Sequence, residues 1–179
     1  RAWTPIGTYK NRYMGTFEGR GHTISGLHAD TSNNVGLFGF IGSDGSVSQV
    51  GLIDSSVTGK NEVGGIAGRN SGTISNCFSI VEIKADYYFC GTNYGTIENC
   101  YSIVKMESKQ TGGGVCGSET YTSKISNCYY NSDIYRFNNG IGTGVSTFDM
   151  ISENALTLMK LDDKIWDVKP YDNTTLYFP

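Results

Sequence analysis

The sequence has little proline and little charge. Of its 179 residues only 3 are proline, and charged side chains make up 17%, against about 25% in an average globular protein. No apolar run approaches the roughly 20 residues needed to span a bilayer, so the sequence predicts no membrane insertion. The net charge of −3 and the lack of a basic cluster argue against nucleic acid as a partner.

Patterns typical of metal and cofactor sites are missing as well. No two of the five cysteines have Cys-x-x-Cys spacing, and no His-Glu-x-x-His stretch occurs, so the sequence predicts no metal site and no cofactor. The chain starts at Arg1 with neither a methionine nor an apolar leader. We therefore expect a piece of a longer polypeptide that carries other domains.

Instead, the sequence repeats itself. Residues 72–79 read Gly-Thr-Ile-Ser-Asn-Cys-Phe-Ser, residues 95–102 read Gly-Thr-Ile-Glu-Asn-Cys-Tyr-Ser, and residues 123–130 read Ser-Lys-Ile-Ser-Asn-Cys-Tyr-Tyr. Two weaker copies begin at His22 and Gly45. Aligned on their isoleucine or valine, the five copies follow at intervals of 23, 27, 23 and 28 residues. A period of roughly 20–50 residues is typical of stacked repeat architectures.

Each copy has the composition of short strands rather than helices. Apolar and polar side chains alternate in segments of about four to six residues bounded by glycine and asparagine. A unit of this length cannot bury its apolar face alone, so successive units are expected to stack, with parallel strands about 4.8 Å apart. The sequence thus predicts an all-β fold, a right-handed parallel β-helix (β-solenoid) of about five coils over residues 1–130.

Residues 131–179 no longer follow the repeat. We expect them to form a C-terminal cap of the same domain, because a solenoid must cover its open end. Ser152 is predicted to N-cap a short helix from Glu153 to Lys160. Trp166 is predicted to be buried in this cap.

Side-chain alternation predicts apolar columns that run through the stack. One column consists of Ile24, Val47, Ile74, Ile97 and Ile125, and a second consists of Leu27, Val50, Cys77, Cys100 and Cys128. Cysteine exchanges there with valine and leucine, and Cys90 and Cys116 correspond to Phe38 and Ala67 of earlier copies. We therefore expect buried thiols rather than disulfides.

Asparagine and aromatic residues form two further predicted columns. Asn76, Asn99 and Asn127, with Gly26 and Gln49, are expected at a bend, where asparagine tolerates left-handed backbone and stacked amides can bond each other. The residues that follow the cysteines form a row of His28, Gly51, Phe78, Tyr101 and Tyr129. The aromatic members, Phe78, Tyr101 and Tyr129, could bind a sugar ring or could pack beneath the C-terminal cap, and we favour packing.

Several segments resemble a known family. The sequence has Gly-Leu-Phe-Gly at residues 36–39, Trp-Thr-Pro-Ile-Gly at residues 3–7 and Val-Gly-Gly-Ile-Ala-Gly at residues 63–68. Together with the recurring Asn-Cys-aromatic, they resemble the GLUG-motif repeats of bacterial surface proteins over nearly the whole chain. Residues 88–90 depart from the pattern. The resemblance implies a non-catalytic module, found in hosts such as adhesins and surface immunoglobulin-A metallopeptidases, and it carries over no catalytic residue.

The expected function is therefore an adhesion or structural scaffold that is extracellular or attached to the cell surface. Its partner would be a host or environmental glycan or a surface protein. The alternatives are a carbohydrate-binding face, or an enzyme of the polysaccharide-active β-helix type, which needs paired carboxylates. The acidic candidates for the latter occupy different repeat positions: Asp30, Asp44, Asp54, Glu82 and Glu98. His22 and His28 have no evident carboxylate, serine or cysteine partner in the sequence, so we predict no enzyme.

A hydroxyl-rich row is expected on the outer surface. It consists of Thr23, Ser46, Thr73, Thr96 and Lys124. Flat threonine arrays of this kind resemble ice-binding surfaces, but Lys124 interrupts this one. We interpret the row as solvated β-surface.

Overall fold

The computed structural model describes residues 2–84, 88–106, 114–134, 141–166, 169–171 and 176–178. Its parallel strands stack into an all-β solenoid of about four turns, which confirms the predicted fold class. The predicted number of coils, about five, is one more than the number of turns observed. The right-handed sense stays a prediction.

The described residues form fifteen strands and two short helices. The strands are β1 (Thr16–Ser25), β2 (His28–Asp30), β3 (Asn33–Val35), β4 (Phe38–Ile41), β5 (Ser46–Thr58), β6 (Asn61–Asn70), β7 (Thr73–Ser75), β8 (Phe78–Lys84), β9 (Tyr88–Asn93), β10 (Thr96–Met106), β11 (Cys116–Glu119), β12 (Lys124–Asn131), β13 (Thr143–Val145), β14 (Lys169–Tyr171) and β15 (Leu176–Phe178). The helices are α1 (Thr147–Met150) and α2 (Ala155–Leu158).

Two parallel sheets form the walls of the solenoid. The larger has the strand order β1-β5-β7-β10-β12-β13, with β2 beside β5 and with β8 between β5 and β10. The smaller has the order β11-β9-β6-β3, with β4 beside β6. Because the chain contributes strands to each sheet in turn, a residue in one coil lies directly above its counterpart in the next.

The repeat motifs are in register from the second copy onwards. Val47 pairs with Ile74, Ile74 with Ile97, and Ile97 with Ile125. The first three are fully buried, and Ile125 packs partly buried against the same core. Branched side chains stacked on themselves fill the interior of the solenoid, as a buried parallel ladder requires.

The first coil departs from the predicted columns. Phe17, and not Ile24, pairs with Val47, while Ile24 pairs with Leu52. The register shifts between Glu18 and His22, which pair with Ser48 and Val50, so three residues of β1 lie opposite one residue of β5. Because of this bulge, the repeat-like residues that follow it do not lie opposite the counterparts predicted by the sequence alignment.

Glycine makes this bulge possible. Gly21 has a φ of +75°, and a Cβ on Gly19 would come within 2.4 Å of the Gln49 carbonyl oxygen. The displacement also moves Leu27 and His28 out of their predicted columns. His28 pairs with Ser56, and the residue opposite Gly51 is Thr23.

The C-terminal cap differs from its predicted helix. Two single-turn helices are present, and Ser146 caps α1 by accepting the Asp149 N–H at 3.1 Å. Ser152 donates its hydroxyl to the Asp149 carbonyl at 2.8 Å, so it closes α1 and does not cap the following helix. Before the helices, β13 adds a further strand to the large sheet beside β12.

Candidate functional site

The aromatic row lies on the outer face of the large sheet. Phe78 pairs with Gly51 on one side and with Tyr101 on the other, and Tyr101 pairs with Tyr129. The rings of Phe78 and Tyr101 stack face to face, with centroids 5.1 Å apart and planes at 8°. The Phe78 ring lies over Gly51, because a Cβ there would fall 2.2 Å from that ring.

The C-terminal cap covers this row. Phe78, Tyr101 and Tyr129 are only 6%, 5% and 5% exposed. The Trp166 indole, 3% exposed, lies 5.8 Å from the Tyr101 ring and 6.3 Å from the Phe78 ring. Met150, Met159 and Leu161 belong to the same apolar cluster, which we call the cap cluster. The row therefore packs beneath the cap and presents no open platform to a sugar ring.

Several polar atoms are buried where the C-terminal cap contacts the aromatic row. The Tyr101 hydroxyl, the Trp166 Nε1–H and the Asn76 Oδ1 atom are buried without a hydrogen-bond partner among the described residues. Burial raises the pKa of the Tyr101 hydroxyl well above its ordinary value. Each unsatisfied buried group costs about 1–3 kcal/mol, so at this junction the stabilisation comes from apolar contact.

The predicted asparagine column lies at a bend of the stack. Asn76, Asn99 and Asn127 have φ values of 51°, 52° and 47°, in the left-handed region. The Asn127 side-chain amide donates to Asn99 Oδ1 at 3.1 Å. In the earlier coils Gln49 and Arg20, each with φ of 52°, have the same conformation. These contacts give the column a structural role.

The five cysteines are buried thiols. Cys100 pairs in register with Cys128, and Cys90 pairs with Cys116 and with Ala67. Burial, above all, raises the pKa of the Cys90 and Cys100 thiols well above their ordinary value. A thiol whose charged form is disfavoured is a poor nucleophile and a poor metal ligand. Among the described residues, no group of three or more His, Cys, Asp or Glu could hold a metal ion.

A groove opens elsewhere on the large sheet. It has a volume of about 380 Å³ and is bordered by three adjacent coils. Its lining residues are Gly26, Leu27, His28, Asp54, Ser55, Ser56, Ile80, Val81 and Glu82. Small-molecule pockets of proteins commonly have volumes of about 300–1,000 Å³, so the groove is of ligand size.

A bulge in β5 creates the groove. The register of β5 against β8 shifts between Ile53 and Ser55, and Asp54 between them has a left-handed φ of 44°. On the coil above, Gly26 bends with a φ of +71° and donates its N–H to the Asp54 carbonyl at 3.2 Å. Beyond this double bend the strands resume in register.

Three polar side chains form one row along the groove. His28 pairs with Ser56, and Ser56 pairs with Glu82, on three successive coils. His28 Nδ1 lies 2.7 Å from Ser56 Oγ. The expectation that His28 lacks a serine partner is therefore wrong. Its partner is 28 residues away, and sequence spacing does not reveal it because the bulge in β1, between Glu18 and His22, displaces the residues that follow.

A histidine within hydrogen-bond reach of a serine is the arrangement of an activated nucleophile. Acyl transfer also requires amide N–H groups that stabilise the oxyanion. The amides of Gly26, Leu27 and Ser56 donate instead to Asp54 O, Ser55 Oγ and Leu27 O. These three amides are therefore not available to an oxyanion.

The structure brings only some of the predicted acidic candidates together. Asp54 and Glu82 line the groove, whereas Asp30 pairs with Thr58 and Glu98 pairs with Ser75 and Ser126. Asp44 is an exposed residue between β4 and β5. In the hydroxyl-rich row, Ser46, Thr73, Thr96 and Lys124 are in register, while Thr16 and not Thr23 precedes them.

Comparison with known proteins gives two partial relatives. A stretch of 66 residues, 36% of this chain and 1% of the relative, is 44% identical to Halomucin of Haloquadratum walsbyi. A stretch of 79 residues, 41% of this chain and 9% of the relative, is 37% identical to a protein of Evansella cellulosilytica described as a Gly-rich membrane protein. No helix among the described residues is long and apolar enough to cross a membrane. No protein-family model and no solved structure matches the chain.

Proposed function

We propose that this chain is a non-catalytic repeat module of a cell-surface or secreted protein, in which the β-solenoid serves as a structural or adhesive scaffold. The observation that carries the proposal is the in-register stack itself. Its interior is filled by branched apolar residues and cysteines, and its aromatic row is used to hold the cap. The cysteine and aromatic side chains of the repeat thus have structural roles.

The two partial relatives support a surface location. One is described as a membrane protein, and the other bears the name Halomucin. This chain corresponds to a small share of either protein, as expected of one module within a long polypeptide. We further propose that the segments resembling GLUG motifs are repeats of that family and that the host protein is bacterial.

A replacement experiment in the native host protein tests the scaffold role. The solenoid would be exchanged for an unrelated β-solenoid of equal length, and surface display and cell adherence would be measured. A structural role predicts that both persist, whereas an adhesive role predicts normal display with loss of adherence. Loss of adherence with normal display would show that this module itself binds the partner, and intracellular retention of the unaltered protein would contradict a surface role.

A second candidate function, saccharide binding, is favoured by the groove. Its walls combine apolar side chains with the His28–Ser56 pair, and sugars present apolar ring faces beside hydroxyl groups. We expect neutral oligosaccharides to perturb amide resonances of residues 26–28, 54–56 and 80–82 in NMR titrations.

A matched pair of histidine variants makes that titration decisive. His28→Ala removes the Ser56 contact, whereas His22→Ala alters an exposed histidine outside the groove. Saccharide binding requires perturbations that vanish in His28→Ala and remain in His22→Ala. Equal spectra of both variants, or no perturbation at millimolar cellobiose, chitobiose and maltose, would exclude the groove as a neutral-sugar site.

A further inference from the structure

Cys90 and Cys116 lie side by side on neighbouring coils. Cys90 belongs to β9 and Cys116 to β11, and the two are directly paired in the parallel register of these strands. Parallel strands lie about 4.7–4.9 Å apart, within the 4.4–6.8 Å that usually separates the Cα atoms of a disulfide. The Cα spacing of the two strands is therefore compatible with a disulfide. Besides burial, the Cys116 thiol also contributes to raising the pKa of the Cys90 thiol.

The other cysteine column does not define a single pair. Cys100 pairs in register with Cys128, and its sulfur also accepts the Cys77 backbone N–H at 3.4 Å. A disulfide between Cys100 and either Cys77 or Cys128 would leave the third cysteine as a thiol. By contrast, the residue paired with Cys90 on its other side is Ala67. Among the described residues, Cys116 is therefore the one cysteine that pairs with Cys90.

We propose that Cys90 and Cys116 are a disulfide-forming pair that fastens the coil of β9 to the coil of β11. The inference goes beyond the scaffold role and stands without it. The oxidant is a small disulfide such as oxidised glutathione. One cysteine thiolate attacks a sulfur of the oxidant and releases one glutathione, and the second cysteine thiolate attacks the mixed disulfide and releases the other. In total, two cysteine thiols give up two protons and two electrons, and one oxidised glutathione becomes two reduced glutathiones.

Access to the pair sets the rate of this reaction. Both cysteines are fully buried, and burial raises the pKa of the Cys90 thiol, so the reactive thiolate is scarce in the closed structure. Among the described residues, β11 is the terminal strand of the smaller sheet, and it pairs with β9 alone. A terminal strand opens at lower free energy than a central one. Oxidation should therefore proceed slowly through detachment of β11 and should accelerate at higher pH.

A bond at this position would hold the terminal strand in place. It closes the chain between Cys90 and Cys116 into a loop, which restricts the unfolded state. Disulfides typically stabilise by a few kcal/mol, so the melting temperature should rise by roughly 5–15 °C in a protein of this size.

Native-state oxidation with peptide mapping tests the proposal. The purified chain would be incubated with oxidised glutathione at pH 8.5 while circular dichroism monitors its fold, then acid-quenched and alkylated. Digestion with trypsin and a Glu-specific protease separates Cys90 from Cys100 by cleavage after Glu98. The expected product is a cross-linked pair of peptides containing Cys90 and Cys116, with a raised melting temperature.

Two variants sharpen the outcome. Cys116→Ala, which introduces the residue found at the equivalent Ala67, should lose both the cross-link and the rise in melting temperature, and Cys100→Ala should keep both. If Cys116→Ala fails to fold, peptide mapping of the unaltered chain and of Cys100→Ala still decides. Recovery of both cysteines as thiols, of two separate glutathione adducts, or of a link to a different cysteine would overturn the proposal. A cross-link without a change in melting temperature would overturn the fastening role.

Discussion

Asparagine has two roles in this protein. At one bend, Asn76, Asn99 and Asn127 adopt left-handed backbone, which asparagine tolerates better than most residues. At a turn, the fully buried Asn70 and Asn93 each accept the N–H of the glycine two residues on, at 3.1 and 3.2 Å. The first role was expected from the repeat. The second was not, because Asn70 and Asn93 lie outside the repeated letters on which the copies were aligned.

Replacing Asn70 should strongly destabilise the stack. Its side-chain amide donates to Asn93 Oδ1 at 2.8 Å, and Asn70→Ala would leave this oxygen and the Gly72 N–H buried without that partner. We expect a loss of about 2–4 kcal/mol in the free energy of unfolding, measured in urea. Asn61→Ala is the matched control, since Asn61 makes a similar bond to Asn33 Oδ1 at 2.8 Å on the surface. Its effect should stay within about 0.5 kcal/mol, and equal losses in both variants would contradict the role of burial.

Asp133 should make the stability of the cap depend on pH. The Thr147 N–H donates to its carboxylate at 2.7 Å, and this bond, with a contribution from the Thr147 side chain, lowers the pKa of Asp133 below its usual value. A lowered folded-state pKa stabilises the protein above the unfolded-state value near 3.9, and the benefit is lost as pH falls through the folded-state pKa.

Because the pKa of Asp133 is lowered in the folded state, replacing its carboxylate with an amide should change the melting temperature in a pH-dependent way. Asp133→Asn should melt below the unaltered protein at pH 6, and the difference should shrink as pH approaches 2. Asp163→Asn, at another exposed aspartate of the cap, controls for the loss of one negative charge. A difference that is constant over the whole pH range would refute the assignment to Asp133.

The C-terminal cap is an element held by an apolar contact surface, by the pairing of β13 with β12 and by hydrogen bonds of Thr147. Trp166, Met150 and Met159 lie in the cap cluster with the aromatic row, while several polar atoms at the junction lack partners. The buried Trp166 was expected from the sequence. The helix that precedes it was not placed correctly, because helices of a single turn have too few residues to show an apolar periodicity.

Removing Trp166 should detach the cap from the stack. Trp166→Ala is expected to reduce the free energy of unfolding by about 3–5 kcal/mol, as truncation of a buried aromatic residue usually does. Exposure of Phe78 and Tyr101 should also increase binding of a hydrophobic dye. Ile165→Ala alters the neighbouring, 43% exposed side chain and should cause neither effect. Wild-type dye binding and stability in Trp166→Ala would contradict this view of the cap.

Register explains which elements could be predicted. In the three copies with nearly identical sequences, around Ile74, Ile97 and Ile125, the residues aligned by sequence are also paired in the sheet. The first coil and the groove could not be located, because the bulges at residues 19–21 and at Asp54 insert residues that a period cannot reveal. Both are places where left-handed backbone interrupts the sheet.

At the scale of the whole molecule, the fold is a sum of contacts between neighbouring coils. Each coil lies on the one before it, and the repeated residues occupy equivalent positions in both. In such an architecture a complete coil should be removable, because the coils on either side can pair with each other. Removal of one residue too few would turn every following side chain to the opposite face of its strand.

A pair of deletions tests this account most directly. Thr73 and Thr96 are paired in register, so removal of residues 73–95 joins Gly72 to Thr96 and deletes one coil of 23 residues. Removal of residues 75–96 joins Ile74 to Ile97, leaves one residue more inside the strand and shifts its register. We predict a β-rich spectrum and a single cooperative thermal transition, at lowered temperature, for the 23-residue deletion, and no cooperative transition for the other. Cooperative unfolding of both shortened chains, or of neither, would contradict a solenoid built on this register.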